Sequence, residues 1–302
     1  MTIDTSKPAH PFPPKHILAP LDFSDPCLYG LAAALDLAKR FSAKLTVVHV
    51  TRHMPPGARV MIGIADEIKQ DWENTARQWL ADFVAEHVPA DVPVQQVIAM
   101  GKPFQKVVEL AAERECDLIV ISTHGYTGLA HVLIGSDAER IVQHAPCPVL
   151  VVRGRPDEKT PSPANATVFR WILLPTDFSE NSRKAVPVAQ AMAREFKARL
   201  TLAHVQPSMG SFQEQDRAAE CSKIDSQLTK FSSELIDKDL NASTVLLEGN
   251  PHRSLCDIAS EEDDPGLIVI ATHGITSWKH ALIGSTAERM VQHAPCPVLV
   301  VR

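Results

Sequence analysis

Two runs of fifteen residues carry the chemistry worth testing: STHGYTGLAHVLIGS (122–136) and ATHGITSWKHALIGS (271–285). Each follows an apolar stretch, DLIVI or GLIVI, and leads into DAERIVQHA or TAERMVQHA. Apolar run, glycine-rich segment, then helical pattern is an arrangement that can hold an anion. Glycine allows positive φ and close backbone approach, so its N–H groups can converge on oxygen. A helix start adds free N–H groups and the positive dipole end, worth about 0.3–1 kcal/mol at an exposed site. Neither run has the lysine of a P-loop, so a triphosphate there needs Mg²⁺ or a nearby cation. The second run offers Lys279; the first has Ala130, with His131 beside it.

A purely structural reading competes. Ser136 with Glu139, and Ser285 with Glu288, fit capping boxes, and the glycines fit turn positions. His124 and His273 precede the loop glycines Gly125 and Gly274. No second His, Cys or carboxylate stands at ligand spacing, so they read as hydrogen-bonding residues, and no protein metal site is expected. His144 and His293, in QHAP, suit a helix C-terminus.

The elements that position these runs occur twice. Leu118–Arg153 and Leu267–Arg302 are identical at 28 of 36 positions, and Lys15–Val50 and Arg170–Val205 at 14 of 36. The chain is a tandem duplication: a tail over 1–14, one domain over 15–153, a proline-bearing polar linker over 154–167, and a second domain over 168–302. Each copy alternates strand and helix, five strands and four helices. HILAPLD is an apolar run ending in a carboxylate, KLTVVHV is a strand, and DLIVIST and CPVLVVR are strands buried on both faces. The pattern predicts an α/β fold of two doubly wound domains, each a parallel five-stranded sheet of order 3-2-1-4-5. In the long second helix, Trp72, Ala76, Trp79, Leu80, Phe83 and Val84 form a stripe read as core. Pro103 fits a helix first turn. Pro187 falls inside a helix, where a kink is expected.

Strand order 3-2-1-4-5 sets strands one and four side by side. Ligands of such sheets bind at the carboxyl ends of strands, near that switch point. Asp22 follows strand one, His49-Val50 end strand two, and Ser122–Ser136 follows strand four. The second copy repeats this with Asp177, Val205 and Ala271–Ser285. Asp22 and Asp177 read either as ligand contacts or as members of Asx turns with Ser24 and Ser179.

The motifs PLDFS and PTDFS, VVHV and LAHV, the GKP and GNP turns, and HAPCPVLVV, which occurs twice, resemble the universal stress protein family in its tandem form. The resemblance spans nearly the whole chain. The family's nucleotide pattern is G-x-x-G, nine residues, then G-[S/T]. Gly125, nine residues, Gly135 and Ser136 fit it, as do Gly274, nine residues, Gly284 and Ser285. Ser122 and Ala271 stand where the first glycine would be. The resemblance implies ATP, with Mg²⁺, held at the strand ends. Asp22 and Asp177 would meet the nucleoside, the backbone of Val50 and Val205 the adenine, and the glycine loops with Ser136 and Ser285 the phosphates. It also implies pairing of domains through their last strands, giving dimers or, in tandem forms, a pair within one chain; a homodimer is the expectation.

Composition sets outer bounds. The 302 residues carry a net charge of −6 and 45% hydrophobic residues. Nothing in that balance suggests nucleic acid or an anionic membrane. The opening MTIDTSKPAHPFPPKH lacks the apolar centre of a signal peptide, and no run reaches membrane-spanning length; the expected compartment is the cytoplasm. Six cysteines form no C-x-x-C pair, and Cys147 and Cys296 read as buried packing thiols. The functional expectation is a stress-response regulator binding ATP in one or both domains, with little or no turnover. The alternatives are a nucleotide-free dimeric protein-interaction module and a slow ATPase or autokinase.

Overall fold

A computed structural model describes residues 12–51, 65–123, 135–154, 167–208, 214–264, 266–272 and 284–302. The chain divides into two compact units, Pro14–Thr167 and Val168–Arg302. The first contains β1 (His16–Leu21), α1 (Cys27–Phe41), β2 (Lys44–Thr51), α2 (Ala65–His87), β3 (Val94–Met100), α3 (Pro103–Glu113), β4 (Leu118–Thr123), α4 (Ser136–His144) and β5 (Val149–Arg153). The second repeats the order with β6 (Trp171–Pro175), α5 (Glu180–Phe196), β7 (Arg199–Gln206), α6 (Glu214–Leu235), β8 (Ala242–Glu248), α7 (Pro251–Glu261), β9 (Gly266–Ala271), α8 (Ser285–His293) and β10 (Val298–Val301).

Within each unit the strands are parallel, in the order β3-β2-β1-β4-β5 and β8-β7-β6-β9-β10. This is the predicted 3-2-1-4-5 arrangement. Ile17, Leu18, Val47, Val48 and Ile119 are fully buried, as are Ile172, Leu200 and Ile268 in the second unit. Helices cover both faces of a parallel sheet, so consecutive strand residues must be apolar. Helix α1 presents a run of alanines and Gly30 to the sheet. A Cβ on Gly30 would come within 3.0 Å of the Ser122 backbone nitrogen. The absent side chain lets α1 lie directly on the end of β4, beside a cavity.

Pro103 and Pro251 occupy the first turns of α3 and α7, where a missing N–H costs nothing. Helix α5 continues past Pro187 to Phe196 as one element.

Three sequence expectations need correction. Trp72 and Trp79 are not core: they are 41% and 50% exposed. The buried arc of α2 centres on Ala76 and Leu80. At about 100° per residue, both tryptophans fall at the rim of that arc rather than in its middle. Ser136 and Ser285 are not capping residues. The N-caps are Gly135 and Gly284, and no side chain closes either helix start. The backbone N–H groups of Glu139 and Glu288 bond instead to the carbonyls of Gly135 and Gly284, at 3.1 and 3.0 Å. Cys147 is buried as expected, but Cys296 is only partly so.

Candidate nucleotide site

The turn after β1 is built from PLDFS. Asp22 Oδ1 accepts hydrogen bonds from the Ser24 N–H at 3.1 Å and the Ser24 hydroxyl at 2.5 Å. The second copy repeats this: Asp177 Oδ1 accepts from the Ser179 N–H at 3.0 Å and its hydroxyl at 2.5 Å. The Asx turn is therefore real in both units. The helices that leave these turns start differently. Ser179 also caps α5 by accepting from the Ser182 N–H at 3.1 Å, whereas α1 begins after Pro26 with no side-chain cap.

Between Asp and Ser, the chain makes a strained step. Phe23 has φ 61° and Phe178 φ 64°, a left-handed conformation that bulky residues rarely adopt. Such a step costs about 1–3 kcal/mol and must be held by its surroundings. A histidine holds it. His49 Nδ1–H donates to the Leu21 carbonyl at 2.8 Å, and its ring stacks on Phe23 at 4.2 Å. His204 donates to the Thr176 carbonyl at 2.8 Å and stacks on Phe178 at 4.4 Å. Phe83 and Phe231, from α2 and α6, pack against the same phenylalanines. Sequence reasoning gave Phe23, Phe178, His49 and His204 no part in holding this turn. The signal was available, since both are among the identities between the copies.

Strand register opens the backbone of Val50. The β1 ladder ends at Leu21↔His49, while β2 pairs with β3 as far as Thr51↔Met100. The Thr51 carbonyl accepts from the Gly101 N–H at 3.0 Å, facing β3. Alternation then turns the Val50 carbonyl towards β1, beyond its end. In the second unit the Gln206 carbonyl accepts from the Gly249 N–H at 2.9 Å, and Val205 is turned the same way.

These pieces meet. A cavity of about 320 Å³ in the first unit is lined by Asp22, Val50, Ser122, Gly135 and Ser136, with Cys27 and Asp137. One of about 380 Å³ in the second is lined by Asp177, Val205, Ala271, Gly284 and Ser285, with Ser182 and Thr286. His124, Gly125, His273 and Gly274 lie outside the described residues. The first turns of α4 and α8 line the cavities, and no capping side chain closes either helix start. In the second unit the Gly284 N–H donates to the Thr272 carbonyl at 2.5 Å, tying the helix start to the strand end. No lysine or arginine lines either cavity among the described residues. Nor does any group of three or more His, Cys, Asp or Glu stand ready for a metal among them. Burial, and secondarily the Asp22 carboxylate, push the Cys27 thiol up to about 12. It contributes bulk rather than a nucleophile.

His144 and His293 are exposed in the last turns of α4 and α8, the end a helix dipole favours for a cation.

The sequence matches the universal stress protein family twice, over residues 14–153 and 169–302. The chain belongs to that family. A universal stress protein A homologue of Coxiella burnetii is 37% identical over 141 residues, covering 46% of this chain and 95% of the relative. A universal stress protein of Mycobacterium bovis is 28% identical over 285 residues, covering 89% of this chain and 90% of the relative. That match runs through both copies, so the tandem form is shared. A solved universal stress protein from Archaeoglobus fulgidus superposes with a TM-score of 0.68 at 17% identity, covering 96% of this chain and 99% of that one. At that identity the likeness concerns the fold.

Proposed function

We propose that this universal stress protein is a cytoplasmic regulator that binds an adenine nucleotide, ATP with Mg²⁺, at the strand-end cavity of its units, with little or no turnover. One observation carries the reading: in both units, residues far apart in sequence converge on one cavity whose helix start is left uncapped. Had Ser136 and Ser285 capped their helices, the loop could be explained by turn and capping needs alone. They do not, and the helix starts line a space of ligand size. The carboxylate of Asp22 or Asp177 suits a ribose hydroxyl. The carbonyl of Val50 or Val205 suits the adenine amino group. The helix start with the Ser136 or Ser285 hydroxyl suits phosphate. Mg²⁺ would arrive on the phosphates, since it needs only one or two protein oxygens. Little turnover is expected because the chain has no P-loop lysine to stabilise phosphoryl transfer.

Two measurements test this. Mass spectrometry of gently purified protein, folded and then denatured, should release an adenine nucleotide at one or two per chain. Added Mg-ATP at 100 times its Kd should stabilise the protein by about 2.7 kcal/mol, a rise of several degrees in Tm. An empty protein whose Tm ignores Mg-ATP refutes nucleotide binding. Steady release of ADP over hours would refute the absence of turnover.

A further inference from the structure

Cys221, in α6, stands apart from the other cysteines. Cys27, Cys116 and Cys147 are buried, and burial pushes the first two thiols up to about 12 and about 11, which leaves them inert. Cys256 and Cys296 are partly exposed, and the Cys256 thiol lies against the Met290 sulfur at 3.9 Å. Cys221 is also partly exposed, but its sulfur accepts a hydrogen bond from Gln206 Nε2 at 3.1 Å. Gln206 ends β7 and is 2% exposed. Its other amide atom, Oε1, is buried with no hydrogen-bond partner. Exchanging the two amide ends leaves the group equally half-met, because the same place then holds a buried N–H without an acceptor. An amide buried in this way is destabilising, and the duplicated fold does not require it. In the first unit Thr51 stands in place of Gln206, and its hydroxyl is met by the Ala99 carbonyl at 3.3 Å. With Phe83 and Phe231 at equivalent places, Glu73 takes the place of Cys221.

We propose that Cys221 is a modification site, oxidised by a hydroperoxide to a sulfenic acid that Gln206 holds. The fit lies in the hydrogen bonds on each side of the step. A thiolate only accepts, so it engages Nε2 and leaves Oε1 empty. A sulfenic acid keeps its sulfur as an acceptor and adds an O–H donor, which Oε1 takes. Nε2 and Oε1 sit side by side on one amide carbon, as sulfur and oxygen sit side by side in S–O–H. The reduced cysteine thus uses half of the amide and the oxidised one uses all of it. In the step, the Cys221 thiolate attacks the terminal oxygen of the hydroperoxide. The S–O bond forms as the O–O bond breaks, and sulfur is oxidised while the peroxide is reduced. The leaving hydroxide or alkoxide takes up the proton that the thiol released. The transferred oxygen brings its own hydrogen, the one that Oε1 accepts.

Treatment of the native full-length protein with hydrogen peroxide in the presence of dimedone, which traps sulfenic acids, followed by peptide mass spectrometry, tests this. Cys221 should carry most of the adduct, and Cys27, Cys116 and Cys147 each at least about tenfold less. Gln206→Leu should lower the Cys221 adduct about fivefold, the contribution of one hydrogen bond. Because that substitution also changes packing at the strand end, alkylation of Cys221 by iodoacetamide is measured alongside. It reads exposure of the thiol, and the dimedone adduct is taken relative to it. A fall in that ratio in Gln206→Leu supports the site. An unchanged ratio shows that Gln206 does not hold the oxidised cysteine and overturns the inference. Labelling of Cys221 no faster than that of Cys256 and Cys296 in the native protein overturns it as well.

Discussion

The histidine lock on the strained turn gives a prediction in which stability and binding separate. In the second unit, His204→Ala removes a 2.8 Å hydrogen bond to the Thr176 carbonyl and the stacking on Phe178 at 4.4 Å. The hydrogen bond contributes about 1 kcal/mol and the ring pair about another 1 kcal/mol. Against that loss, Phe178 is released from φ 64°, recovering about 1–3 kcal/mol of strain. The two nearly cancel, so stability without ligand should change by less than about 1 kcal/mol. Binding should not be spared. Once the turn relaxes, Asp177 and the end of β7 no longer face α8 in one arrangement. A tenfold loss of affinity is expected. At an ATP concentration 100 times the original Kd, stabilisation of this unit then falls from about 2.7 to about 1.4 kcal/mol. Thermal unfolding with and without Mg-ATP, wild type against His204→Ala, reads both quantities. An unchanged ATP-induced shift would show that the lock does not position the ligand. A loss of about 2 kcal/mol without ligand, the full value of the two contacts, would show that no strain is released there.

Other contacts give outcomes of their own. Gly266→Ala would place a Cβ 2.8 Å from Cε3 of Trp171, whose ring is buried and fixed by donation to Thr201 Oγ1 at 2.8 Å. Overpacking should cost about 1–3 kcal/mol, read as a lower urea midpoint. At the equivalent place in the first unit, half-buried His16 contacts the Arg114 carbonyl and Thr46 Oγ1, near Lys44 and Asp117, and burial lowers its pKa. The unfolded chain then takes up the proton first. The stability His16 contributes is complete above about pH 6.5 and is lost as pH falls towards its folded value. Urea midpoints between about pH 5 and 8 should therefore fall less steeply on acidification in His16→Gln than in wild type. Trp72→Phe with Trp79→Phe should cost less than about 0.5 kcal/mol and remove much of the acrylamide-quenchable fluorescence. A larger cost would mean these rings are covered.

The sequence by itself determined the duplication, the alternation of elements and the order of the sheet. Those are set by long apolar runs and repeated motifs, which register burial on both faces of a parallel sheet whatever the local detail. It also pointed to where a cavity lies, because order 3-2-1-4-5 leaves one switch point, and Asp22, Val50 and the start of α4 all line it. Tertiary structure decided what periodicity could not. Trp72 and Trp79 fit a helical stripe, but how far α2 is rotated against the sheet sets which side of that stripe is buried. Ser136 and Glu139 fit a capping box, but the approach of the chain at Gly135 made the glycine the cap and left the serine facing the cavity. Phe23 and His49 lie at the ends of different strands and become a lock only when β1 and β2 pair in register. Packing, hydrogen bonding and charge all act through distance, and distance is a property of the fold.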